Sequence, residues 1–398
     1  MKDSSIRNIR KYYLFQFFNS LAFFSPVIVL FWQSHGLTMT QIMLLQSIFS
    51  IGVVVLELPT GAFADYFGKR KSLILGALFW TIGFTWYGFS TNFWQFAIGE
   101  LLAGIGSAFI SGADRAYIHE LLREEHKEAD FKKTEGKARG IIQIAQAIGS
   151  IGGGLIGSIS LSFTLIATGL STIVSFIIGT TFPKIKEDKN EKKIGYLQII
   201  QESFSLIKTH KRLLWLTLFF ASFNGLLWPL NFYSQPFLKL LNIPIFYFGF
   251  IFFLFNLVAA LGSTLTHQFE LLSKKYIFVL MSFIVVISLF LISITKSIYI
   301  FPLWSLFLTF LFMNQTIISD KVLAIVPINK ASTVLSFQSL LRRSLYAIVG
   351  PILGVTSDMF GIQIALTYYA IFLFLIFGSL LVVEKQFNSN SEIISNNQ

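Results

Sequence analysis

The sequence predicts an all-α integral membrane protein of twelve transmembrane helices in two pseudo-symmetric six-helix halves. Three observations predict it. The chain of 398 residues is 54% hydrophobic and only 13% charged, with 45 phenylalanines, more apolar surface than one water-soluble core can hide. Its hydropathy divides, at about 20 residues per span, into twelve apolar runs with short connections. Segments of the first half recur in the second at a near-constant offset.

The predicted spans are 11–33, 41–63, 72–90, 93–118, 138–158 and 163–182 in one half, and 213–235, 245–266, 276–295, 300–322, 334–357 and 361–383 in the other. The connection 183–212 is long, charged and polar, so it divides the chain into an N-terminal half 1–182 and a C-terminal half 213–385, with a tail 386–398. The first apolar run is long enough to span and lacks a small-residue cleavage site, so it is read as span 1. An even number of spans puts both termini on one side. With the N-terminus inside, Lys239 and Lys296 are the cations of the outer loops and the other Lys and Arg residues lie in or near cytoplasmic segments, as the positive-inside rule requires. Lys184, Lys186, Lys189, Lys192 and Lys193 are therefore orientation signals that also meet anionic headgroups, and the formal charge of +11 does not indicate nucleic acid. This topology puts both termini in the cytoplasm; the membrane is expected to be a bacterial cytoplasmic one, and the protein a monomer in contact with lipid.

The chain contains no cysteine, which removes disulfides, thiolate metal sites and cysteine nucleophiles together. The histidines at 35, 119, 126, 210 and 267 lie at span ends or in loops. No HExxH motif or GxSxG elbow is present. No catalytic residue, metal or cofactor is predicted, and an enzyme is the least favoured class.

The internal repeat is clearest between spans 5 and 11. Gly149, Ser150 and Gly153 match Gly350, Pro351 and Gly354 at an offset of 201. Gly61 and Gly262 share that offset, and Phe18-Asn19-Ser20 in span 1 resembles Phe223-Asn224-Gly225 in span 7. Parallel repeats of this kind let transporters place a site between halves near the membrane midplane.

Between spans 2 and 3 runs Gly61 to Lys71, GAFADYFGKRK. Asp65 ends a helix whose dipole repels it, so it should serve another helix's N-terminus or the cations Lys69, Arg70 and Lys71. The pattern of Gly61, Asp65, Gly68, Lys69 and Arg70 resembles the signature loop of the major facilitator superfamily, on the cytoplasmic side between helices 2 and 3. Tyr66 stands where that family usually has a cation, and the repeat has Thr266 in place of the acid. The resemblance covers nearly the whole chain and implies transport by alternating access. It also implies that helices 3, 6, 9 and 12 are outer supports around a cavity lined by the other eight. The glycine run from Gly149 to Gly157 is similar to the fifth-helix motif of the family's drug antiporters, with Ser150 at the proline position; close helix packing is the alternative.

Polar side chains inside the spans agree with that division. In the first half they are Gln16 and Asn19 (span 1), Gln46 and Glu57 (span 2), Glu100 and Asp114 (span 4), and Gln143 and Gln146 (span 5). In the second half they are Asn224 and Asn231 (span 7), Asn256 (span 8), Asn314 and Gln315 (span 10), and Gln338, Arg342 and Arg343 (span 11). Spans 3, 6, 9 and 12 have essentially none. The amides are substrate-cavity candidates, each with the alternative of an interhelical hydrogen bond worth about 0.6 to 2 kcal/mol. Trp228, beside Pro229, joins them as a cavity residue, whereas Trp32, Trp86, Trp94 and Trp304 fit an outer interfacial belt and Trp215 the inner one.

Glu57, Gly61 and Asp65 recur every four residues along one face of span 2, Glu57 lying about 12 Å deeper than Asp65. Arg342 and Arg343 lie at a similar depth in span 11, and in the family these helices adjoin. Glu57 pairing with either arginine, with Asp65 near the start of span 11, would form a cytoplasmic gate. Glu100, in IGELLAGIGSA, occupies the position of the family's fourth-helix arginine, with Gly104 and Gly106 matching. Because that arginine is associated with proton coupling in the family, Glu100 becomes the proton-coupling candidate, with Asp114 and Glu57 behind it. Asp114 with Arg115, and Asp320 with Lys321, read as boundary pairs.

Few fixed charges face the inferred cavity, which suits an uncharged or amphipathic organic solute exported in exchange for protons. Import or exchange of a metabolite, siderophore or peptide-like solute is the alternative. A membrane sensor that has lost transport is the non-transport alternative.

Overall fold

The computed structural model describes residues 2–111, 113–185, 204–273, 276–297, 301–326 and 328–395. Lys186, Lys189, Lys192 and Lys193, with most of the segment 183–212, lie outside the described residues. The described residues contain no strand. The helices are α1 (Lys2–Asn19), α2 (Ile28–Ser34), α3 (Met39–Phe67), α4 (Lys69–Phe89), α5 (Phe93–Ser111), α6 (Asp114–Glu124), α7 (Phe131–Ile159), α8 (Leu161–Thr180), α9 (Lys211–Leu227), α10 (Leu230–Leu240), α11 (Ile245–Thr264), α12 (Thr266–Ser273), α13 (Ile277–Ile294), α14 (Phe301–Ile325), α15 (Ile328–Phe360) and α16 (Ile362–Ser395).

Ten helical stretches among the described residues are long and apolar enough to cross a bilayer. Spans 1 and 11 complete the predicted twelve, and each departs from a simple apolar helix for a visible reason. Span 1 is broken: α1 ends at Asn19, turns occupy the next residues, and α2 resumes at Ile28. Span 11, the 33-residue α15, carries two arginines near its middle. Span 7 is also broken, into α9 and α10 at Trp228 and Pro229, where proline cannot donate to the preceding turn. Span 4 ends at Ser111, earlier than 118, because the residues that follow form a separate amphipathic helix, α6. The last helix runs past 385 into the segment read as a tail.

The chain forms two compact units, residues 1–192 with 238–253 and residues 193–237 with 254–398. In the first unit α4 packs between α5 and α8, α3 packs on α5, and α1 on α8 and α7. The α4 and α5 backbones approach closely through small residues: a methyl group on Gly106 would come 2.8 Å from the Gly76 carbonyl oxygen. A second close approach joins α7 to the first part of α11, where a methyl on Gly154 would lie 2.5 Å from the Gly249 nitrogen. It accounts for the inclusion of 238–253 in this unit. α6 buries Tyr117, Ile118, Leu121 and Leu122 against Tyr12 and Phe15 of α1 and Leu73 of α4. The C-terminal carbonyls of α8 collect cations: Arg70 Nη2 donates to Thr180 O at 2.5 Å and Lys11 Nζ to Thr181 O at 2.9 Å. Positive charge is favourable at that end of a helix dipole.

In the second unit α9 packs on α15, α14 and α16, and α13 packs on α16 and α14. Trp215, Phe219 and Phe223, four residues apart along α9, stack in sequence and meet Phe278 of α13 and Phe377 of α16. Trp215 is not an interfacial anchor: it is 3% exposed and its Nε1 donates to Leu380 O at 2.7 Å. Trp32 and Trp304 also leave the predicted belt, at 1% and 3% exposed, because they pack beside Tyr87 and Phe237 respectively. Trp86 and Trp94 are exposed as a belt requires.

Candidate functional site

The glycines of span 5 pack against the break in span 1. A methyl on Gly149 would lie 2.8 Å from the Ala22 nitrogen, and one on Gly153 would overlap the Phe23 carbonyl oxygen and crowd Pro26. The unwound backbone is thereby held against α7 where no side chain fits between, which supplies a packing reason for the run. Asn19 sits at the edge of the break, and its buried amide oxygen has no hydrogen-bond partner among the described residues. Gln16, one turn earlier, donates to the Tyr12 hydroxyl at 2.8 Å.

The first unit's principal polar cluster centres on Glu100. Its carboxyl is buried, and Gln46 Nε2 of α3 donates to Glu100 Oε1 at 2.7 Å. The Tyr87 hydroxyl faces the same carboxyl, and the Trp32 ring nitrogen faces that hydroxyl. Gly99 makes this possible: a methyl there would sit 2.6 Å from the Tyr87 ring. Sequence reasoning identified Glu100 and Gln46 separately but missed Tyr87 and Trp32, since span 3 read as an outer support and Trp32 as an interfacial anchor. The glycine immediately before the acid was the available signal. Chemically, an amide donor and a hydroxyl that can donate or accept serve either protonation state of a carboxyl.

Near the signature loop, Gly68 joins α3 to α4 with φ +102°, a conformation that favours glycine. Asp65 forms an ion pair with Lys69 across this turn, so it serves a neighbouring cation. Gly61 meets only open space, and Glu57, one turn above it, is partly exposed. Asp114 lies at the start of α6, where its carboxylate accepts the Arg115 backbone N–H at 2.6 Å. The Arg115 side chain reaches Glu135 of α7 instead, at 2.8 Å, and Arg139 joins the same carboxylate at 2.8 Å. Lys321 likewise pairs with Glu270 at 3.0 Å rather than with Asp320. Gln143 is exposed on α7 and Gln146 partly so.

In the second unit the predicted amides divide. Asn224 bonds back to Phe220 O in its own helix, and Gln338 Nε2 donates to Thr217 Oγ1 of α9 at 3.1 Å, tying α15 to α9. Asn314 is fully buried with neither amide atom hydrogen-bonded among the described residues. Gln315 is exposed and Asn256 partly buried. At the break between α9 and α10, Asn231 Nδ2 donates to Trp228 O at 3.0 Å, and the guanidinium of Arg342 lies 5.8 Å from the Trp228 ring centroid. Arg343 follows it on α15. Among the described residues no group of three or more His, Cys, Asp or Glu could hold a metal ion.

Comparison with known proteins bears on this arrangement. A family model described as Major Facilitator Superfamily matches residues 12–351. An uncharacterized MFS-type transporter of Bacillus subtilis (strain 168), YxaM, is 24% identical over 363 residues, covering 89% of this chain and 90% of that protein. Multidrug resistance protein 2 of the same organism is 23% identical over 199 residues, 50% of this chain and 48% of the relative. The crystal structure of a mutant of the nucleoside transporter NupG superposes with a TM-score of 0.81 at 12% identity, over 94% of this chain and 99% of that one.

Proposed function

The chain belongs to the Major Facilitator Superfamily and is a multi-pass secondary transporter, and from that premise we propose that it exports a small amphipathic organic solute in exchange for protons. The observation that carries the proton part is the buried Glu100 carboxyl, bonded by Gln46 and faced by Tyr87. A titratable group inside a span is costly unless it has work to do, and this one is equipped to hold or give up a proton. Export is supported by the likeness of half the chain to Multidrug resistance protein 2. The proposal also takes the halves as 1–182 and 213–385, with both termini in the cytoplasm of a bacterium. It takes Glu57 as the partner of a span 11 arginine in a cytoplasmic gate.

The test is solute movement into proteoliposomes under an imposed pH gradient, with a panel of labelled amphipathic solutes. Solute and protons should move in opposite directions. Glu100→Gln keeps an oxygen for the Gln46 amide, so the protein should fold normally and still exchange labelled for unlabelled solute, while losing dependence on the gradient. Gradient-driven transport undiminished in Glu100→Gln would remove Glu100 from the coupling, and co-accumulation of solute with protons would refute export.

A further inference from the structure

The second unit presents a charge that no described residue of that unit neutralises. Arg342 lies near the middle of the 33-residue α15, at the level where α9 comes so close that a methyl on Gly225 would lie 2.8 Å from the Arg342 carbonyl oxygen. Its side chain reaches the indole of Trp228, 5.8 Å from guanidinium carbon to ring centroid. Among the described residues no carboxylate acts on Arg342, and the charge acting on it is that of Arg343 beside it. A guanidinium at this depth is costly against lipid, so its exposed part faces water or protein.

The residues around it hold their own geometry. Trp228 is the first residue beyond α9 and precedes Pro229, and the Asn231 side chain bonds to its carbonyl oxygen, so the ring is set by the break in the helix. Trp228 as a residue remains 40% exposed. A cation over an aromatic face is attracted by the ring quadrupole without spending any N–H donor. The guanidinium edge therefore keeps its planar fork, which matches a carboxylate in two parallel hydrogen bonds. An adjacent second cation raises the local positive potential further.

We propose that Arg342 and Trp228 form an anion subsite that takes the carboxylate of an amphipathic organic acid, whose apolar body rests on the exposed part of the indole. The inference rests on the transport reading and narrows its solute class from amphipathic molecules in general to amphipathic carboxylates.

The probes are 2-naphthoate and benzoate, each against its neutral amide, titrated into the purified full-length protein with thermal stability and calorimetry as readouts. Both carboxylates should raise the melting temperature, naphthoate more than benzoate, and the amides should bind about tenfold or more weakly. Arg342→Gln should weaken naphthoate by about 10- to 100-fold, Arg342→Lys should fall between, and Trp228→Ala should reduce the advantage of naphthoate over benzoate. The carboxylate-to-amide comparison is made on the wild type, so it survives if Arg342→Gln fails to fold. Equal binding of acids and amides, absence of carboxylate binding, or unchanged naphthoate affinity in folded Arg342→Gln overturns the subsite. Intact naphthoate binding by a protein that moves no solute in vesicles would count against the transport reading instead.

Discussion

Gly68 shows at the scale of one residue why a recognised motif position is needed. Its φ of +102° turns the chain from α3 into α4 within a single residue. Gly68→Ala should lower stability by about 1 to 2 kcal/mol, visible as a lower melting temperature in detergent; an unchanged melting temperature would contradict the strain argument. Trp215→Phe keeps the ring stack on α9 but loses the bond to Leu380 O, and should cost about 1 kcal/mol in the same assay. Glu100 and Arg342 were legible in the sequence, because a charge within an apolar run needs an explanation. Their partners were not. Gln46 is 54 positions from Glu100, and nothing in either local pattern announces the contact. Trp32, Trp215 and Trp304 were misread because a tryptophan near a span end looks interfacial. Whether its ring is enclosed by distant helices is a tertiary fact.

At the scale of elements, hydropathy located apolar runs but not the state of their backbone. Residues 20–27 are mostly apolar, so span 1 read as continuous although Pro26 among them signals a break. The break follows from how α7 receives Ala22 and Phe23. In span 7 Pro229 was a visible signal, and the FN pair shared by spans 1 and 7 precedes a discontinuity in both. The glycines of α7 offer a graded test. Gly153→Ala places a methyl on the Phe23 carbonyl and should cost about 1 to 3 kcal/mol by overpacking. Gly157→Ala meets side chains alone, Val27 at 3.1 Å and Ile245 at 3.6 Å, and should be milder because a rotamer can yield. Equal melting temperatures for the two variants would show that the span 1 break is not held by this contact.

For the whole molecule, the twelve-span layout was legible because bilayer thickness fixes helix length and loop charge follows topology. The compact units were less so: residues 238–253 join the first unit through Gly154 and Gly249, and glycine spacing alone does not name a partner. Absence of cysteine makes the orientation directly measurable. A single cysteine at Lys296 should react with a membrane-impermeant maleimide on intact cells, whereas one at Arg123 on α6 should react only after permeabilisation. The reverse labelling would invert the topology. The C-terminal turn of α8 has a consequence for biogenesis. Its carbonyls receive Arg70 and Lys11 from 110 and 170 residues upstream, so a nascent chain cannot tie spans 1 and 3 to this turn until span 6 has left the ribosome. A chain truncated before Thr180 lacks these acceptors and should be inserted yet remain a substrate for membrane proteases.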